Sequence, residues 1–256
     1  GRGMQIIGAI PVWLLALGMT ALIFLALEAG FRLSHRRPGL DDASPLHAAM
    51  LGLVALLLAF AFSMAEDRFT LRRELVTKEA NAIGTCYLRA GLLPEPTRGE
   101  MRTRLLRYVD LRLEAYAAAS DPPHFGRLLQ DSAQLQAELW SRLEAVAPQL
   151  PTGILILTTQ SLNEMIDVSA ERLSAARNQI PDTIFVLLLI GILGSGLLLG
   201  YRPETHSRGW FLWGIFALLT TAVMFTLLDL DVPNRGHIRT SQRPLEDLRD
   251  QLRSLP

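Results

Sequence analysis

A single cysteine, Cys86, is all the thiol this chain contains, which excludes an internal disulfide and a thiolate metal site and leaves packing to hold the fold. Net charge is missing as well. The 256 residues carry 25 basic and 25 acidic side chains with no clustered basic stripe, so a nucleic-acid partner is excluded. The five histidines (35, 47, 124, 206 and 237) never fall at the i, i+4 spacing of a zinc site, and neither a metal nor a cofactor is expected. Catalytic motifs are lacking too. Gly191, Gly194, Gly196 and Gly200 lie inside an apolar run, where Gly196 and Gly200 form a small-xxx-small packing motif rather than a phosphate loop. Ser195 has no strand before it to make a nucleophile elbow. The chain does not read as an enzyme.

Charge is also absent locally, and this absence is the most informative. Residues 6–27, 43–65, 183–201 and 209–228 hold no Asp, Glu, Lys or Arg, and each run is about 19 to 23 residues long. A helix of that length crosses a hydrocarbon core of about 30 Å. No period-two strand pattern appears between the runs. The expected fold is an all-α integral membrane protein: four transmembrane helices with a helical extramembrane region between the second and third spans.

The expected organisation is a first transmembrane hairpin over residues 1–65, with residues 1–3 read as a tag remnant before Met4. A helical extramembrane region follows over 66–180, continuous with the second span. A second hairpin covers 181–228, and a polar tail covers 229–256. No Pro or Gly interrupts the chain from Glu66 until Gly84, so the second span should leave the bilayer as one helix reaching about Arg89. Leu105, Val109, Leu113 and Tyr116 recur at helical spacing, as do Leu128, Leu135, Leu139, Leu143 and Val146, and 154–179 is amphipathic. The connector after the first span, 33–42, reads as a turn, and 235–239 as a loop. Glu28 should pair with Arg32 one turn on. Asp229 and Asp231 read as a solvated helix end, and Trp13, Trp210 and Trp213 as interfacial residues.

Sorted at 100° per residue, the second span presents one stripe of Gly52, Ala55, Ala59, Ser63 and Glu66 and another of Leu53, Phe60, Met64, Asp67 and Leu71. The small stripe suits close helix packing. Alternatively, copies of this helix surround an axis, with Leu53, Phe60, Ser63, Met64, Glu66 and Asp67 as candidate pore-lining residues and either the small residues or Phe60 and Met64 forming rings at a constriction that gates by dewetting. Glu66 and Asp67 at its mouth would favour cations, and Arg68, Arg72 and Arg73 anions. Further along, Glu79, Asn81, Gly84 and Thr85 sit in an unusual stretch, because Gly costs a helix interior about 1 kcal/mol relative to Ala. Close approach of a neighbouring helix at Gly84, with Asn81 and Thr85 hydrogen-bonding across, is one account. Ligand or ion coordination by Glu79 and Asn81 is the other.

Four segments carry a family resemblance: LLLAFAFSMAEDRFTLRRELVTKEANAIGTCYLRAGLLPEP (56–96), RLLRYVDLRL (104–113), SLNEMIDVSAERLSAARNQIP (161–181) and LDLDVPNRGHIRTSQRPL (228–245). Together they resemble the bestrophin-like family of bacterial four-span membrane proteins and, more distantly, the bestrophin anion channels. That resemblance implies a homo-oligomer, a pentamer, with the second span lining a central pore and anions slightly favoured as the conducted ions. The acidic calcium-clasp cluster of bestrophins has no recognisable counterpart after the fourth span. The alternative is a non-conducting signalling or scaffold protein whose helical extramembrane region binds partners. The expected setting is the bacterial inner membrane. Basic residues in the short loops (Arg32, Arg36, Arg37) and those on the opposite side give opposing orientations. The resemblance implies a cytoplasmic helical region and cytoplasmic termini.

Overall fold

The structure is a computed structural model that describes residues 12–36, 44–201, 209–231 and 239–254. Among these residues there are eight α-helices and no strand: α1 (Val12–Arg36), α2 (Ser44–Ala90), α3 (Thr97–Ala117), α4 (Pro122–Val146), α5 (Thr152–Arg177), α6 (Asp182–Gly200), α7 (Trp210–Asp231) and α8 (Arg243–Ser254). Four stretches, supplied by α1, α2, α6 and α7, are long and apolar enough to cross a membrane. The chain is an all-α integral membrane protein. It divides into two compact units, one of residues 1–67 and 179–231, the other of 68–178 and 232–256.

In the first unit α1 packs on α6 and α7. Lipid tails are as apolar as these side chains, so helix association here rests on close van der Waals contact and interhelical hydrogen bonds. Glycine provides the closeness. A Cβ built on Gly200 would lie 2.0 Å from the Leu27 carbonyl oxygen, and one on Gly30 would lie 1.9 Å from that of Leu197. Gly200, read from the sequence as part of a packing motif, thus meets the main chain of the facing helix, and Gly30 has an equal share in that contact. Ile23, Leu27, Leu188, Ile192, Trp213 and Leu227 fill the space between the helices, and Thr20 and Thr221 share a hydrogen bond at 3.1 Å.

Three expectations for this unit need correction. The connector reading of 33–42 fails at its start, because α1 runs on to Arg36, with Ser34 Oγ donating to the Phe31 carbonyl within the helix. The solvated end proposed for Asp229 and Asp231 is in fact buried: α7 includes both, and Asp231 Oδ1 accepts the Ile180 backbone N–H at 2.9 Å. Trp213 is packed inside against Phe31 and Trp210, leaving only Trp210 exposed as an interfacial residue would be. The side chain of Trp13 lies outside the described residues. Glu28 and Arg32 do pair, at 2.9 Å.

The second unit has a conventional water-excluding core. Val76, Ile83, Leu93, Leu105, Tyr108, Leu139, Leu162 and Met165 are buried together, each large aliphatic side chain contributing about 1.5–3 kcal/mol. Asp121 caps α4 by accepting the His124 N–H at 3.3 Å, with prolines in the first turn, where no amide is needed. The tail also differs from expectation. Residues 243–254 form α8, whose Leu245 and Leu252 enter this core while Arg253 binds Asp110 at 3.0 Å. The loop expected at 235–239 lies almost wholly outside the described residues.

Candidate functional site

Within the first unit the α2 span buries only a narrow stripe, Val54, Ala61 and Ala65. Both stripes named from the sequence are on its open side. Gly52, Ala55, Ala59, Ser63 and Glu66 are exposed, as are Leu53, Phe60 and Asp67, with Phe60 at 61% and Met64 half-buried. The packed stripe is therefore a third face, and the candidate pore-lining residues remain available to lipid or to another copy. The three candidate mouth arginines separate: Arg73 is exposed, Arg68 is half-buried, and Arg72 is buried at 6% exposure. Arg72 therefore does not present its charge on the open surface.

The second unit carries a buried charge cluster that single residues could not have announced. Glu79 has no solvent exposure and accepts from Arg112 Nε at 2.6 Å on one oxygen and from Arg172 on the other. Arg112 and Arg172 thus bring α2, α3 and α5 together on one carboxylate, and Arg172 also donates to Gln242, which joins the segment leading into α8 to the cluster. Two guanidiniums sharing one carboxylate leave the cluster with a surplus positive charge. Burial acts to lower the Arg112 pKa, but the Glu79 charge and hydrogen bond, with Tyr108, raise it overall and keep it protonated. Next to it, the Tyr108 hydroxyl accepts from Gln136 Nε2 at 2.9 Å. Burial, the largest influence, pushes the phenol above its ordinary range.

These contacts revise the Glu79–Thr85 reading. Glu79 is occupied by arginines, so its role is structural and the ion-coordination account of it is set aside. Close approach at Gly84 is observed, since a Cβ there would sit 3.1 Å from Leu248 Cδ1 of α8. The hydrogen bonding across a helix expected of Asn81 and Thr85 is not what they do. Both are exposed and line a polar groove of about 890 Å³ between α2 and α5, with Glu74, Lys78, Glu164 and Asp167. Lys78 bridges to Glu171 at 2.9 Å, and that hydrogen bond raises its pKa. Among the described residues no group of three His, Cys, Asp or Glu side chains is arranged to hold a metal.

The profile of the Bestrophin-like domain matches residues 14–245. The chain belongs to the Bestrophin-like family. Solved structures agree on the fold. This bestrophin-like chain superposes with a TM-score of 0.71 on a substituted form of a bacterial bestrophin homologue from Klebsiella pneumoniae, at 15% identity over 95% of this chain and 96% of that one. A second structure of a Klebsiella pneumoniae bestrophin homologue gives a TM-score of 0.67 at 15% identity, covering 94% and 96%. No curated protein matches. At such identity the structural likeness speaks for the bestrophin fold, and the bestrophin-like chain's own residues must carry any argument about transport.

Proposed function

We propose that copies of this bestrophin-like chain assemble around their α2 helices, as a pentamer by analogy with bestrophins, into a channel for inorganic anions. The observation that carries this reading is the exposed α2 face. One uninterrupted helix leaves Leu53, Phe60 and Ser63 uncovered and Met64 half-covered within the span, and then Glu66, Asp67 and Arg73 uncovered just beyond it. A ring of Phe60 and Met64 would be apolar and narrow, resisting water until it widens. Arg73, with Arg68, supplies the positive potential that favours anions over the local carboxylates. Each subunit spans the bacterial inner membrane, with the charged unit and both termini in the cytoplasm.

Purified full-length protein in planar bilayers tests the reading. Unitary currents that change with Phe60→Ala are expected. Bilayers that stay silent with an intact oligomer incorporated would sink it. One feature favours the non-conducting scaffold instead: in the same unit as the α2–α5 groove Leu88, Leu92, Ile156 and Leu157 are exposed, apolar surface suited to a partner. Silent bilayers together with a saturable partner at that surface would establish this second function.

A further inference from the structure

The α1 helix has two unlike sides. Ile23, Leu27 and Gly30 are buried where α1 packs on α6 and α7. On the other side Gly18, Leu22, Leu25, Ala29, Arg32 and Arg36 recur at alternating spacings of four and three residues, and all six are exposed. Such a row is one continuous helix face. Its first four positions are apolar and its last two are basic. A Cβ on Gly18 would meet nothing within 4 Å and Leu25 is 64% exposed, so none of the described residues covers this face.

Arg32 and Arg36 lie five and nine residues past the charge-free run, where hydrocarbon gives way to headgroups. Arg32 gives its Nε to Glu28 at 2.9 Å and still keeps its side chain 70% exposed. A guanidinium held through Nε has two terminal nitrogens left to donate. Arg36 follows one turn on, about 6 Å further along the axis. His35 beside them is held to its own helix, its ring 4.4 Å from that of Phe31 and its Nδ1 donating to the Phe31 carbonyl at 2.9 Å. The other spans do not end this way. α6 and α7 contain no Lys, Arg or His, and on α2 the exposed face meets Glu66 and Asp67 first.

We propose that this face of α1 is a docking site for an anionic phospholipid, with Arg32 and Arg36 holding the phosphodiester and an acyl chain lying along Leu25, Leu22 and Gly18. Charge and polarity together select this occupant. Guanidiniums match phosphate oxygens with paired N–H donors, and basic side chains at the membrane surface draw anionic headgroups. A phosphatidylcholine headgroup brings its own cation towards the two arginines, whereas phosphatidylglycerol does not. A free phosphate would meet the arginines in water and gain nothing from the apolar part of the row. The site is the same whichever side of the membrane the end of α1 faces.

Native mass spectrometry of the full chain in detergent, titrated with phosphatidylglycerol or with phosphatidylcholine of the same acyl chains, tests the assignment. Saturable binding of phosphatidylglycerol is expected, about tenfold tighter than phosphatidylcholine, the gain of one charge-assisted hydrogen bond. Combining Arg32→Gln with Arg36→Gln should bring the two lipids to equal affinity. Arg177→Gln, which removes an exposed charge at the end of α5, should leave the preference intact. Glycerophosphoglycerol, the same headgroup without tails, should not displace bound lipid. Equal affinity of the two lipids for the unaltered chain would overturn the proposal, as would a preference that survives the double substitution or is lost equally in Arg177→Gln. Displacement by the tail-free headgroup would overturn it in favour of a soluble anion. Loss of oligomer mass in the double variant would overturn it in favour of a second copy on this face. The comparison of the two lipids on the unaltered chain decides the matter if the double variant does not fold.

Discussion

Arg112 donates through Nε to Glu79 Oε1 at 2.6 Å, across a pair with almost no access to solvent. Attraction at this distance is large in a low-dielectric interior, yet so is the cost of dehydrating both ions. The consequence is asymmetric: the intact cluster adds modestly to stability, while a broken one is strongly unfavourable. Glu79→Ala leaves Arg112 and Arg172 buried without their counter-ion and should destabilise the protein by about 3–5 kcal/mol. Denaturant unfolding of the detergent-solubilised protein, followed by the fluorescence of Trp140 in the second unit, checks this. A change below about 1 kcal/mol would show that the cluster is wet.

The contacts of Gly30 and Gly200 are with main-chain carbonyls, which cannot swing aside as a side chain can. Gly200→Ala should therefore force α1 and α6 apart and cost about 3 kcal/mol or more, at the upper end of overpacking penalties. A Cβ added to Gly18 or Gly214 would meet nothing within 4 Å, so Gly214→Ala should be tolerated. Thermal melts of the Gly200 and Gly214 variants should differ clearly, and coincident melts would contradict the packing described.

Tyr108 gives the charged unit a dependence on alkaline pH. Burial raises its pKa above the ordinary value of 10.0, with Glu79 adding to the effect and Arg112 opposing it. A folded-state pKa above the unfolded one means that the stabilisation is complete below about pH 10 and is lost as the pH rises through the higher folded value. Melting temperature should fall over that range, and Tyr108→Phe should make the fall shallower. Equal alkaline slopes for the two proteins would rule this out.

Burial divides neighbouring arginines on α2 into different roles. Reversing an exposed charge at a channel mouth changes which ions collect there, whereas changing a buried one disturbs packing. Arg73→Glu should shift the reversal potential towards cation permeability in a chloride gradient with little change in melting temperature. Arg72→Ala should mainly lower the melting temperature. The converse result would exchange their positions relative to the pathway.

Cys86 is 3% exposed within the second unit's core and should react slowly with a bulky maleimide while the protein is folded. Orientation is better read from Ser141, exposed on α4. In a Cys86→Ala background, Ser141→Cys should be labelled by an impermeant maleimide only after the cells are permeabilised. Labelling in intact cells would place the charged unit outside.

The four spans and the continuous α2 were legible because membrane thickness imposes a length that composition alone reveals. Gly200 was legible through its four-residue spacing from Gly196, and Gly30 stands at the same spacing from Ala26, but which helix each pair packs against needed the structure. The α8 helix was legible and was missed: Leu245, Leu248 and Leu252 fall at i, i+3 and i+7, one apolar stripe among charges, and only the identity of the core it enters needed the structure. The roles of Asp231 and Glu79 depend on partners 51, 33 and 93 residues away, separations at which a single sequence carries no pairing signal. For the candidate pathway, the sequence separated two stripes of α2, and the chain's own packing uses a third.

The hydrogen bond from Ile180 to Asp231 also bears on how the protein is made. Its donor precedes the third span and its acceptor closes the fourth, so the two meet only after the intervening hairpin has been synthesised. At about 5–20 residues per second, ribosomes need roughly 3–10 s to cover that interval. During this time the Ile180 amide must rely on water at the membrane surface, and its arrival on Asp231 marks completion of the second hairpin.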